Sequence, residues 1–141
     1  MSNGEKLSAY VTETGESIFA VDIKVSGHSI KGDEPVDAGG KNLGPSPYDL
    51  LLAALGECTA MTVRWYAKQQ NWPLEKVEVK LTYQKLDKVD VFKKEVIVHG
   101  AALTPEQHKK LVDVAAKCPV QRTLESNIVI RTSNSSEFVK S

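Results

Sequence analysis

The feature that most constrains this chain is one long helix signal in its middle. GDEPVDAGGKNLGPSP (32–47) is a Gly- and Pro-rich loop, and it ends on a helix start: Ser46 as cap, then Pro47 at the first helical position. The run PYDLLLAALGECTAMTVRWYAKQQ follows without an interior proline until NWP (71–73) stops it near Asn71. Extended segments lie on both sides. SIFAVDIKV (17–25) alternates Phe19, Val21, Ile23 and Val25 on one face with Asp22 and Lys24 on the other. SAYVT (8–12) and HSIK (28–31) read as its neighbours, separated from it by turn-like TETGES and SGHS. After the helix, KVEVKLTYQK (76–85) and VFKKEVIVHG (91–100) read as two strands. TPEQ (104–107) is a capping box that opens a second helix to about Lys117, where Pro119 ends it, and NIVIRT (127–132) reads as a last strand. The order is strands, helix, two strands, helix, strand. That order predicts an α+β domain with a largely antiparallel sheet over residues 1–141, ending in a polar tail at 133–141.

Several function classes fall away on composition. Lys and Arg total 18 and so do Asp and Glu, which leaves a net charge of zero over 141 residues. No basic excess argues for nucleic acid or an anionic membrane, and the few aromatics offer no base-stacking platform. MSNGEKLSAY has no apolar core of a secretory signal, and no apolar run nears a bilayer span. The expected location is the cytoplasm.

The two cysteines carry most of the functional argument. On a helical wheel Leu51, Ala54, Leu55, Met61, Thr62 and Trp65 all lie within about 60° of Cys58, which places that thiol centrally in an apolar stripe. Leu111, Val114 and Ala115 surround Cys118 in the same way at the end of the second helix. In addition, Cys118 directly precedes Pro119. A helical turn opening at Pro119 makes Cys118 its cap, where unpaired N–H groups, the helix dipole and Arg122 lower a thiol's pKa. In a reducing cytosol a structural disulfide is not expected. Inert packing, a metal site or redox work remain open.

At GPSPYDLLLAALGECTAMTV together with CPVQRTL, the sequence resembles the osmotically inducible protein C / organic hydroperoxide resistance (OsmC/Ohr) family, as a divergent OsmC-like member. The resemblance covers nearly the whole chain. It implies an OsmC-like fold of antiparallel sheets and two main helices, in an intertwined homodimer with active sites at the subunit interface. It implies a cysteine-based peroxidase that reduces organic hydroperoxides in oxidative stress defence, needs no cofactor and is recharged by a cellular dithiol. By that resemblance Cys58 is the peroxidatic and Cys118 the resolving cysteine. Two positions depart from the pattern. The family's peroxidases carry an arginine in the N-terminal half, whereas here Arg64, Arg122 and Arg131 all follow Cys58. They also carry a glutamate after the helix-opening proline, where this chain has Tyr48 and Asp49. Asp49, Tyr48, Glu57 and Arg122 are the candidate supporting groups, with Lys24, Lys31 or Lys41 in place of the arginine.

Other constellations are weaker. His28, His99 and His108 share no metal spacing, so no metal site is expected. Trp65 and Trp72 read as core and helix-end packing, and KVDVFKKE (88–95) as a solvated hairpin. Two functions therefore stand side by side. The first is a thiol peroxidase acting through a Cys58 sulfenic acid and a Cys58–Cys118 disulfide. The alternative is a non-peroxidase relative that binds a small apolar or electrophilic molecule, with structural or redox-sensing cysteines.

Overall fold

The computed structural model describes residues 6–135. The element order is β1 (Ala9–Glu13), β2 (Val21–Val25), β3 (His28–Gly32), a 3-10 turn (Val36–Ala38), α1 (Pro47–Gln69), β4 (Lys76–Leu86), β5 (Val89–His99), α2 (Pro105–Ala115) and α3 (Pro119–Glu125). This is the expected α+β arrangement with antiparallel pairing. None of the described helices is long and apolar enough to cross a membrane. The chain divides into two compact units. One takes the residues up to Gly56 together with Leu81–Lys94; the other takes Glu57–Lys80 and the residues from Glu95 onward.

In the first unit β1, β2 and β3 form an antiparallel meander, with Val11 opposite Ile23 and Ile23 opposite Ile30. Ser26 and Gly27 join β2 to β3 with φ of 50° and 79°, the positive values a type I′ hairpin turn requires. The expected strand at 17–25 is shorter than its alternation suggested. Ser17 breaks its start: its hydroxyl accepts hydrogen bonds from the Phe19 and Ala20 amides and donates to Asp33. Phe19 is left half exposed outside the ladder. Val11, Phe19, Val21, Ile23, Pro47 and Leu50 face an apolar groove of about 400 Å³.

One buried carboxylate organises the long loop. Asp33 accepts from the Ser17 hydroxyl at 2.8 Å and from three loop amides: Glu34 (2.8 Å), Lys41 (3.0 Å) and Leu43 (3.2 Å). Burial alone would push its carboxyl up, but these four donors outweigh it and hold it below the usual aspartate range. Gly40 lets the loop close on itself, since a Cβ there would stand 2.0 Å from the Glu34 carbonyl oxygen.

In the second unit Val63 and Ala67 of α1, Leu74, Val98 of β5, and Leu111 and Ala115 of α2 make the core. Tyr66 and Trp72 meet edge to face and pack against it. The α1 signals behave as their chemistry demands. Ser46 and Asp49 form a reciprocal cap, in which Asp49 accepts from the Ser46 amide and hydroxyl at 2.9 and 2.8 Å. Asn71, in the left-handed region at φ 57°, closes the other end. Thr104 and Gln107 form the expected capping box of α2.

Asp87 and Lys88, both with positive φ, make the two-residue turn between β4 and β5, so 88–95 lies in a hairpin as its sequence predicts. Two expectations need correction. Residues 127–132 pair with no strand among the described residues, and Ile130 is 84% exposed. Its β-branched residues suit a strand, but a strand needs an edge to pair with, and β1–β3 and β4–β5 take none here. Trp65 is 59% and Met61 55% exposed, so the Cys58 stripe is buried only in part. The last part of the expected polar tail, 136–141, lies outside the described residues.

Gly40→Ala is expected to destabilise the fold by about 3 kcal/mol, because backbone rather than a flexible side chain occupies the space. Chemical denaturation measures this. Asp33→Asn is expected to lower Tm at neutral pH and to flatten its acid dependence. A carboxyl depressed in the fold adds stability above its unfolded pKa of about 3.9, and that stability is lost as pH falls through the folded value.

Candidate active site

The structure brings together the two cysteines. Cys58 lies in α1 and Cys118 directly precedes α3; both belong to the second unit and both are buried, at 6% and 0% exposure. Cys118 is the cap that its position before Pro119 predicts, with its sulfur accepting from the Gln121 amide at 3.4 Å. The amide one residue earlier, that of Val120, donates instead to the Cys58 sulfur at 3.5 Å. The first turn of α3 thus sends one N–H to each sulfur.

Two threonines of α1 complete the arrangement. The fully buried Thr59 hydroxyl donates to the Cys118 sulfur at 3.5 Å. Thr62, one turn on from Cys58, stands beside the Cys58 thiol and helps to lower its pKa. Burial is the stronger influence and pushes Cys58 up. The Val120 amide opposes it, and the neighbouring Cys118 reinforces it through a hydrogen bond and through charge. The net direction is upward, so Cys58 is mostly protonated at neutral pH.

The remaining candidates are placed as follows. Asp49 spends its carboxylate on the Ser46 cap, whose bonds hold it below the usual range. Tyr48 stacks on Tyr83 with ring centres 4.7 Å apart, and Tyr83 in turn meets Phe92 and donates to Asp90. Lys31 pairs with Glu16 and Asp22. Lys24 and Lys41 are exposed in the first unit, and Glu57 and Arg122 are exposed in the second. Arg64 donates to the Leu74 and Glu75 carbonyls. His99 meets Glu78, and His28 and His108 are exposed. Among the described residues no three His, Cys, Asp or Glu side chains cluster as metal ligands would.

A family model described as OsmC-like protein matches residues 39–133, which contain both cysteines, α1, α2 and α3. The chain belongs to the OsmC-like family. Solved structures share its fold. An OsmC-like protein from Mycoplasma pneumoniae superposes with a TM-score of 0.71 at 18% identity, covering 87% of this chain and 89% of that one. The organic hydroperoxide resistance protein OhrB of Bacillus subtilis gives 0.61 at 20% identity, covering 87% and 93%. An organic hydroperoxide resistance protein from Legionella pneumophila gives 0.65 at 17%, covering 89% and 93%. None of the curated proteins matches this chain. At such identities the likeness establishes the OsmC-like fold.

Sequence reasoning found the cysteines and the cap at Cys118 but passed over the two threonines. Thr62 counted only as a member of the apolar stripe, and Thr59 drew no notice. The available signal was a hydroxyl in a helix interior next to a thiol, where side-chain oxygens seek local partners.

The raised Cys58 pKa has a sign that can be checked. A thiol raised in the fold adds stability below its unfolded pKa of about 8.5, and that stability is lost as pH climbs through the folded value. Tm of the wild type is therefore expected to fall more steeply above about pH 8.5 than that of Cys58→Ala, measured by scanning calorimetry on both.

Proposed function

We propose that this OsmC-like chain is a thiol-dependent peroxidase that reduces organic hydroperoxides, with Cys58 as the attacking and Cys118 as the resolving cysteine. The observation that carries this reading is the pairing of two buried sulfurs, each accepting an amide from the first turn of α3. The Cys58 thiolate attacks one peroxide oxygen. The O–O bond breaks, sulfur becomes a sulfenic acid, and the departing alkoxide takes a proton to leave as the alcohol. The Cys118 thiol then condenses with the sulfenic acid, releasing water and leaving a disulfide. A cellular dithiol returns both cysteines to thiols and is itself oxidised to a disulfide. The apolar side chains along α1 favour an alkyl group over bare hydrogen peroxide, and the half-exposed Met61 and Trp65 leave that stripe accessible in the single chain. The same exposure, with that of Ile128, Val129 and Ile130, fits a homodimer in which a second copy covers apolar surface.

A second reading draws on the upward push of burial on Cys58. A thiol kept protonated reacts slowly. In that reading the pair packs or acts as a redox sensor while the protein binds a small apolar or electrophilic molecule.

A peroxide challenge on the reduced protein separates the two. One equivalent of an alkyl hydroperoxide is expected to consume both thiols within seconds, with loss of two hydrogens by intact mass, faster than hydrogen peroxide does. Cys58→Ser abolishes the reaction, and Cys118→Ser stops it at a sulfenic acid that dimedone traps. Because the thiol is raised, the rate is expected to climb with pH through and beyond about 8.5, as the thiolate fraction grows. Thiols that persist for minutes at every pH overturn the peroxidase in favour of the second reading.

A further inference from the structure

The Thr62 hydroxyl is the one orphan at this site. Its oxygen is wholly buried and meets no hydrogen-bond partner among the described residues. Buried hydroxyls are rarely left so. A threonine inside a helix usually donates to the carbonyl one turn back, which here is that of Cys58, and Thr62 does not. Thr59 shows the ordinary outcome, since its hydroxyl donates to a sulfur, that of Cys118. Thr62 stands next to the other sulfur on the same helix. A neutral thiol is a weak acceptor, whereas a thiolate is a strong one. Loss of the Cys58 proton therefore places a strong acceptor beside this unpartnered hydroxyl.

We propose that Thr62 is the residue that holds the Cys58 thiolate, its hydroxyl waiting without an acceptor until the thiol loses its proton and then donating to the sulfur alongside the Val120 amide. The titratable group facing Cys58 is Cys118, and the strongest influences on it are burial, Val120, Cys118 and Thr62, with no charged side chain among them. The nearby charges of Glu57 and Arg122 are exposed. With a single hydroxyl and a single amide to stabilise it, the thiolate depends heavily on each. The inference rests on the peroxidase reading for its purpose, but not for its chemistry.

The test uses full-length protein carrying Cys118→Ser, so that the ultraviolet thiolate band reports Cys58 alone. Into this background Thr62→Val and Thr62→Ser are introduced. Thr62→Val is expected to move the titration midpoint of Cys58 upward and to slow its sulfenic acid formation about ten- to a hundredfold at neutral pH, as losing a hydrogen bond to a charged group does. Its Tm in the reduced state should stay level or rise, because the substitution removes a buried hydroxyl that bonds to nothing. A purely structural threonine would lower Tm and leave the midpoint in place. Thr62→Ser should keep both midpoint and rate near those of the parent. Thr62→Ala repeats the comparison should the valine variant fold poorly. An unmoved midpoint in folded Thr62→Val or Thr62→Ala overturns the inference. If the parent forms no sulfenic acid while the midpoint still moves, the peroxidase reading fails and the assignment of Thr62 stands.

Discussion

The packing of α2 against α1 is the constraint on which the thiol site depends. Leu111, wholly buried, shares one core with Val63 and Ala67, and Ala115 follows on the same stripe. That core fixes where α2 ends, and Cys118 comes three residues later. Pro119 cannot continue α2, so the chain restarts as α3, and a restarted helix has unpaired amides at its first turn. In most proteins water or a hydroxyl meets such amides. Here two sulfurs do, one of them supplied by α1. Apolar packing thus delivers polar hydrogens to the thiols without any charged residue.

This arrangement makes the electrostatics of the site a contest between burial and dipoles. Burial dominates at Cys58, and the sulfur is kept protonated in the resting chain. The groups that oppose burial at Cys58 are an amide and a hydroxyl, which carry no net charge, in a chain with no arginine ahead of that cysteine.

How much of this was legible depended on how local each signal was. Ser46–Pro47, the Thr104 capping box and Cys118–Pro119 are contiguous patterns whose chemistry is complete within four residues, and each element starts where its pattern says. The pairing of Cys58 with Cys118 rested on two wheels pointing inward, which made it possible without requiring it. Asp33 was illegible, because a carboxylate among loop residues looks solvated until Ser17, Lys41 and Leu43 are folded around it. The Asp87–Lys88 turn gave no glycine to mark it. Trp65 and Ile130 misled for a common reason. Apolar residues in a periodic pattern report that a surface wants covering, not that this chain alone covers it.

The Asp33 carboxylate has a consequence for how this protein can vary. It ties residue 33 to the amides of 41 and 43 through one group of fixed reach, which turns the intervening segment into a ring of set circumference. The exposed side chains on that ring are free to change, because main-chain N–H groups are the same whatever residue carries them. Its length is not free, since one residue added or removed pulls both amides away from the oxygen that holds them. Across relatives this segment should drift in sequence while keeping its count, and natural insertions should fall outside it.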